Sequence, residues 1–228
     1  MNFDRLAPIY RRMELVAAGG KLQRCRLEFL GQIVSPARIL LAGEGHGRFL
    51  PECVKRFPLA AIVVVDSSAR MLDIGRSKVD SPHVKFVHAD LVGWEGPADE
   101  FDLIVTNFFL DCFPEDQLAV VVSKLGKCAT ADAQWLLADF AIAPSPLAGF
   151  RSRVILAALY AFFRMVCGLK ADTLIPPDDY LEKAGFVMHR QRTYEWGLLK
   201  SEWWVRSSGT FPRAIIPTSS DIVRHDSA

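Results

Sequence analysis

The 228-residue chain contains no C-x-x-C pair, no internal repeat and no apolar stretch near the roughly 20 residues that a bilayer-spanning helix requires. Its five cysteines, Cys25, Cys53, Cys112, Cys128 and Cys167, are odd in number and far apart. That spacing argues against a disulfide framework and fits reduced thiols in the cytoplasm. No grouping of His, Cys, Asp and Glu has the spacing of a metal site, so no metal is expected. The opening Met1-Asn2-Phe3-Asp4-Arg5 lacks the basic-then-apolar order of a secretory signal, which again predicts a cytoplasmic protein. Net charge is only +1. No broad field draws the chain to nucleic acid or to an anionic membrane, and no nucleic-acid partner is expected. The one basic concentration, Arg5, Arg11, Arg12, Lys21, Arg24 and Arg26, reads as the wet face of N-terminal helices.

Half of the residues are hydrophobic and 23% are charged, a balance suited to one sizeable core. The most informative stretch is Ile39 to Leu50, where an apolar run ends in Gly43, Gly45 and Gly47. Glycine tolerates positive φ and has no Cβ to hold a ligand away from the backbone. A second apolar run, Ala61 to Val65, ends in Asp66, 23 residues after Gly43. A βαβ unit places a ribose-binding acid about 20 residues beyond its glycine turn, so the pair predicts a nucleoside site. A dinucleotide fold wants G-x-G-x-x-G, but the third position here is Arg48 and the glycine falls one residue early, at Gly47. A nicotinamide site is therefore disfavoured.

The G-x-G-x-G spacing resembles motif I of the class I S-adenosylmethionine-dependent methyltransferases. Val63 to Leu72 is similar to that family's second strand and following turn, Val84 to Leu91 to its third, Phe101 to Asn107 to its fourth and Gln134 to Phe140 to its fifth. Phe3 to Tyr10 resembles the opening of the quinone- and lipid-modifying branch. The resemblance implies an α/β, Rossmann-like, doubly wound and mostly parallel seven-stranded sheet with an antiparallel last strand, N-terminal helices and a helical insertion after strand 5. It divides a single domain of residues 1–206 into a helical cap (1–34), a cofactor-binding core (37–140), a helical insertion or lid (143–180) and closing strands (186–206). Residues 207–228 read as a flexible tail.

The same resemblance implies a cofactor, S-adenosylmethionine (product S-adenosylhomocysteine), and a set of contacts. Gly43, Gly45 and Gly47 would approach its amino-acid end. Asp66, with Ser67 beside it, would accept from the ribose, Met71 would face the adenine ring, and Asp90 with the Leu91 backbone would bind the adenine edge. Asn107 closes the fourth strand at the same edge. The family's usual acid two residues before the first glycine is Leu41 here, so Glu44 is a candidate for the cofactor's amino group; the alternative is a solvated turn glutamate. Asp66 could equally cap the next helix, and Asp90 a turn. His46 could face cofactor or solvent, and His88 reads as a sheet histidine.

Transfer from an activated sulfonium is an in-line displacement, which asks the protein mainly to position and desolvate. A base is harder to find. Asp111 follows the fourth strand and could take a proton or hold an amine, or simply start a helix. Tyr10 and Tyr160 are weaker candidates. Val154 to Phe163 is ten residues without charge between Arg153 and Arg164. As a helix it would pack on the sheet, roof an acceptor pocket with Tyr160, Phe162 or Phe163 facing in, or touch a membrane surface or second subunit. The reading is a methyltransferase acting on a small, lipophilic acceptor. The alternative is a catalytically silent cofactor-binding scaffold or regulatory subunit. Monomer and homodimer both remain open.

Overall fold

The computed structural model describes residues 20–207. Seven strands form one sheet: β1 Arg38–Ala42, β2 Ala61–Asp66, β3 Val84–His88, β4 Phe101–Asn107, β5 Ala129–Phe140, β6 Phe186–Tyr194 and β7 Leu199–Arg206. Around them lie α1 Lys21–Leu27, α2 Leu50–Arg56, α3 Ala69–Arg76, α4 Glu115–Cys128, α5 Pro146–Cys167 and α6 Asp178–Lys183. The strand order is β3-β2-β1-β4-β5-β7-β6, with β7 antiparallel to both of its neighbours. The expected mixed sheet is therefore present.

The apolar runs are continuous because both faces of the sheet are covered. Along β1, Leu40 and Ala42 join Leu118, Val121 and Leu125 of α4, while Ile39 and Leu41 join Leu50 and Cys53 of α2 and Leu72 of α3. Leu41 is thus a core residue on the α2 face. A carboxylate there would be buried among leucines and costly to ionise. Strand order reverses between β1 and β4, and in open α/β sheets that reversal opens a ligand crevice at the carboxyl edge.

The insertion after β5 is longer than its ten uncharged residues. Helix α5 runs 22 residues from Pro146, starting where Pro144-Ser145-Pro146 suggests a break. Proline suits the first turn, where its missing N–H has no partner to lose. The helix stops at Gly168, whose φ of +67° lets its N–H reach the Arg164 carbonyl. Leu156, Tyr160 and Cys167 pack on Ala138, Leu198 and Leu199. Tyr160 is 4% exposed and Val154 53%, so the tyrosine faces the protein and the valine faces out. The apolar run alone would place Val154 on the packed side with Leu156 and Leu159, but the structure turns it to solvent. Arg26 also departs from a wet-face reading: it is buried, with its guanidinium 5.0 Å from the Phe108 ring. Residues 1–19 and 208–228, including Tyr10 and the expected tail, lie outside the described residues.

Candidate active site

The chain leaves β1 through a loop in which Gly43, Gly45 and Gly47 have φ of +67°, +62° and +67°. Three left-handed residues in five would strain any other side chain. A Cβ on Gly45 would meet nothing within 4 Å, whereas one on Gly47 would approach the Gly75 Cα at 3.0 Å. The first bare face is therefore open for a ligand and the second is needed to pack α3. Asp66, at the end of β2, fixes the loop. Its Oδ2 accepts from the Gly45 N–H at 2.9 Å and its Oδ1 from the Ser68 N–H at 2.9 Å. It is 7% exposed, and burial pushes its carboxyl above the ordinary range despite these donors. Asp66 does not cap α3; Ser68 does, with Oγ accepting from the Met71 N–H at 3.1 Å.

Glu44 is not a solvated turn glutamate; it has a task in the fold. Its Oε1 accepts from the N–H groups of Phe49 and Leu50 at 2.7 and 2.9 Å, capping the start of α2. Part of the residue reaches solvent, but its carboxyl is enclosed, and burial raises its pKa to about 7. The two amide donors and the charges of Arg26 and Lys78 offset only part of that rise. His46 is 5% exposed and turned into the protein rather than to solvent.

On the β3 side, Met71 and Leu91 are buried and Asp90 is exposed. Asp90 Oδ1 accepts from the Val92 N–H at 3.0 Å, and its carbonyl accepts from Gly93 and Trp94, so it does cap a turn. Its second carboxylate oxygen makes no hydrogen bond among the described residues. His88 lies in β3 with Nε2 3.0 Å from the Ser67 carbonyl oxygen.

Beyond β4 the backbone turns sharply. Asn107 is 8% exposed, and its Nδ2 has no hydrogen-bond partner. Phe108 has φ of +52°, and Phe109 and Leu110 lead into a 3₁₀ turn at Leu110–Cys112. There Asp111 meets Asp139 from the end of β5. The Asp111 N–H donates to Asp139 Oδ2 at 3.3 Å, and the Phe140 N–H donates to Oδ1 at 2.8 Å. Cys112 Sγ lies 3.5 Å from Asp111 Oδ1, and the Tyr160 hydroxyl donates to the Asp111 carbonyl at 3.3 Å. Burial raises the affinity of both carboxyls for protons, and the charge of Asp111 raises that of Asp139 further. Two buried like charges side by side cannot both ionise cheaply, so the pair keeps one proton above the ordinary carboxylate range.

Asp139 was not legible as a site residue, because it ends an apolar strand. Across the β5–β7 ladder it faces Lys200, whose Nζ turns instead to Asp178 at 2.9 Å and Glu202 at 2.8 Å. Phe163 packs with Leu156 and Tyr160, and Phe162 meets it edge-on at 5.6 Å. Among the described residues no group of three His, Cys, Asp or Glu side chains could hold a metal.

Residues 39–131 match the family described as Methyltransferase domain. Among curated proteins, the malonyl-[acyl-carrier protein] O-methyltransferase of Halalkalibacterium halodurans is 40% identical over 76 residues, 32% of this chain and 28% of that protein. The trans-aconitate 2-methyltransferase of Rhodopseudomonas palustris is 32% identical over 90 residues, 39% and 34% respectively. The chain thus matches about a third of the length of these relatives. The structure of the Burkholderia thailandensis 1,6-didemethyltoxoflavin-N1-methyltransferase, with its substrate and S-adenosylhomocysteine bound, superposes with a TM-score of 0.61 at 13% identity, covering 90% of this chain and 88% of that one. The domain match over residues 39–131, the G-x-G-x-G loop and the strand order agree: this part of the chain is similar to the methyltransferase-domain family, on the fold of the class I S-adenosylmethionine-dependent methyltransferases.

Proposed function

We propose that this protein transfers the methyl group of S-adenosylmethionine to a hydroxyl or amine on a small, lipophilic acceptor. The observation that carries this reading is the buried Asp111–Asp139 pair at the same sheet edge as the Gly43–Gly47 loop. The residues fit the cofactor. The space before Gly45 is open, the Asn107 amide is buried without a partner, and Asp66 and Asp90 offer carboxylate oxygens at the right strand ends. Gly43, Gly45, Gly47, Asp66, Ser67, Met71, Asp90, Leu91 and Asn107 would hold it. Glu44, committed to capping α2, would act only through its second oxygen. When bound, the cofactor supplies a methyl group already activated by its sulfonium.

The remaining work falls to the chain. Residues 143–180 would act as a lid: Tyr160 and Phe163 belong to the apolar cluster beside Asp111, and with Phe162 they would border the acceptor, exclude water and align it for in-line attack once the lid admits it. Asp111 takes the acceptor's proton; burial keeps it basic enough to do so, and Asp139, which holds the pair's shared proton, positions it. The two curated relatives named above carry names that specify acyl and aconitate acceptors. A carboxylate acceptor needs no base and would be repelled by a buried acid pair, which supports a different acceptor class here. The test is methyl transfer to matched lipophilic phenols, amines and carboxylic acids. Turnover of phenols or amines is expected; turnover of carboxylic acids alone would overturn the acceptor assignment.

A further inference from the structure

The inward face of α5 belongs to the site just described, but its outward face has no role in it. Leu147, Phe150, Val154 and Met165 are 83%, 66%, 53% and 85% exposed. With Ala158 and Ala161 they fall within about 80° of one another around the helix axis, at 100° per residue. Trp196, 71% exposed, adds to the same region: its ring lies 5.4 Å from the Arg151 guanidinium. Isolated exposed apolar residues need no explanation, but a continuous stripe along a 22-residue helix does.

Charge indicates what covers it. Helix α5 carries Arg151, Arg153 and Arg164 and no acidic residue. Arg151 flanks one side of the stripe, and Arg153 and Arg164 flank the other. The chain's net charge of +1 conceals this local bias. A second copy packed on this face would bring two sets of three arginines together with no acid on either helix, a like-charge cost that disfavours self-association. An apolar stripe between rows of arginine, with a tryptophan at its margin, suits the boundary between lipid headgroups and acyl chains. No helix among the described residues is long and apolar enough to cross a membrane, so the contact is with a surface.

We infer that the outward face of α5, with Trp196, docks the protein on an anionic lipid bilayer. The surface does not depend on the acceptor proposed above. The helix lies along the membrane with Leu147, Phe150, Val154 and Met165 inserted at the headgroup level and the three arginines beside lipid phosphates. Each basic residue near an anionic surface strengthens binding about fivefold at low salt.

The full chain is sedimented with phosphatidylcholine vesicles containing about 30% phosphatidylglycerol, and with pure phosphatidylcholine vesicles. Wild-type protein is expected to bind the anionic vesicles and to lose about tenfold or more in affinity on neutral vesicles or in high salt. The double variant Phe150→Glu/Met165→Glu is expected to lose about tenfold or more on anionic vesicles, with an unchanged melting temperature because both side chains are exposed. No binding to anionic vesicles, equal binding to both compositions, or equal binding by the variant overturns the proposal. So does a wild-type dimer that the variant converts to monomer, which would identify a second copy as the partner.

Discussion

The ring of Phe109 lies over Gly43, so that a Cβ built on the glycine would meet the ring Cδ2 at 1.9 Å. The left-handed turn at Phe108 delivers the ring there, and Phe113 supports it edge-on at 5.0 Å. Loops from β1 and β4 are thereby locked together across the crevice.

Gly43→Ala should combine a left-handed backbone cost of about 1–2 kcal/mol with an overpacking cost of similar size. Gly45→Ala, at φ +62° with open space ahead, should show only the first. Urea denaturation of both, with a double-mutant cycle through Phe109→Ala, measures the difference. Equal losses at the two glycines and no coupling to Phe109 would refute this packing.

Asp66 and Asp90 should separate binding from stability. Asp66→Ala removes the acceptor of two amides and the proposed ribose contact, so both melting temperature and S-adenosylhomocysteine affinity should fall, the latter about tenfold or more. Asp90→Ala, at an exposed turn, should weaken binding with little thermal change. Calorimetry beside thermal melting reads both, and normal binding by Asp90→Ala would remove it from the site.

Asp111→Asn should spare cofactor affinity and cut turnover by roughly 10²–10⁴-fold. As pH falls, activity should be lost when the acid pair takes up its second proton, above the usual carboxylate range. Asp139→Ala removes the side-chain hydrogen bond that lowers the proton affinity of Asp111, so the acid limb of the kcat/KM profile should move to higher pH. An unmoved limb would reduce Asp139 to a packing role.

Glu44 links pH to stability. Its folded pKa, about 7, lies above the unfolded value of 4.5. The folded state therefore binds this proton more tightly, and the resulting stabilisation is complete below about pH 4.5 and lost as pH rises through about 7. Glu44→Gln keeps the oxygen that caps α2 and removes the titration. The variant should match wild type near pH 4 and exceed it at pH 8 by at most about 3 kcal/mol. Urea midpoints across that range check the sign.

The parallel strands were legible because burial on both faces writes them as unbroken apolar runs, and β4 matches its sequence span, Phe101–Asn107, residue for residue. Asp66 and the glycines were legible because backbone geometry dictates them. Asp139 was not, since only the pairing of β5 beside the turn after β4 brings it to Asp111. Helix α5 was half legible: Gly149, Arg151 and Ser152 interrupt the apolar pattern, although the first and last of these are buried against the sheet side. Glu44's capping role was not legible, because a carboxylate among glycines suggests a ligand and only the fold brings its Oε1 to the first amides of α2.

The position of β7 between β5 and β6 sets an order of assembly during synthesis. Strand β6 leaves the ribosome first, yet it has no edge to join until residues 199–206 follow and pair with β5. Until then Trp135 and Leu137 sit on an open edge, a template for mispairing, and Asp139 lacks the strand that faces it. A nascent chain halted before Leu199 could already form the glycine loop, but its acids would remain in water with ordinary proton affinity. On the proposed reading, the cofactor loop is thus complete before the strand that encloses the acid pair has been made.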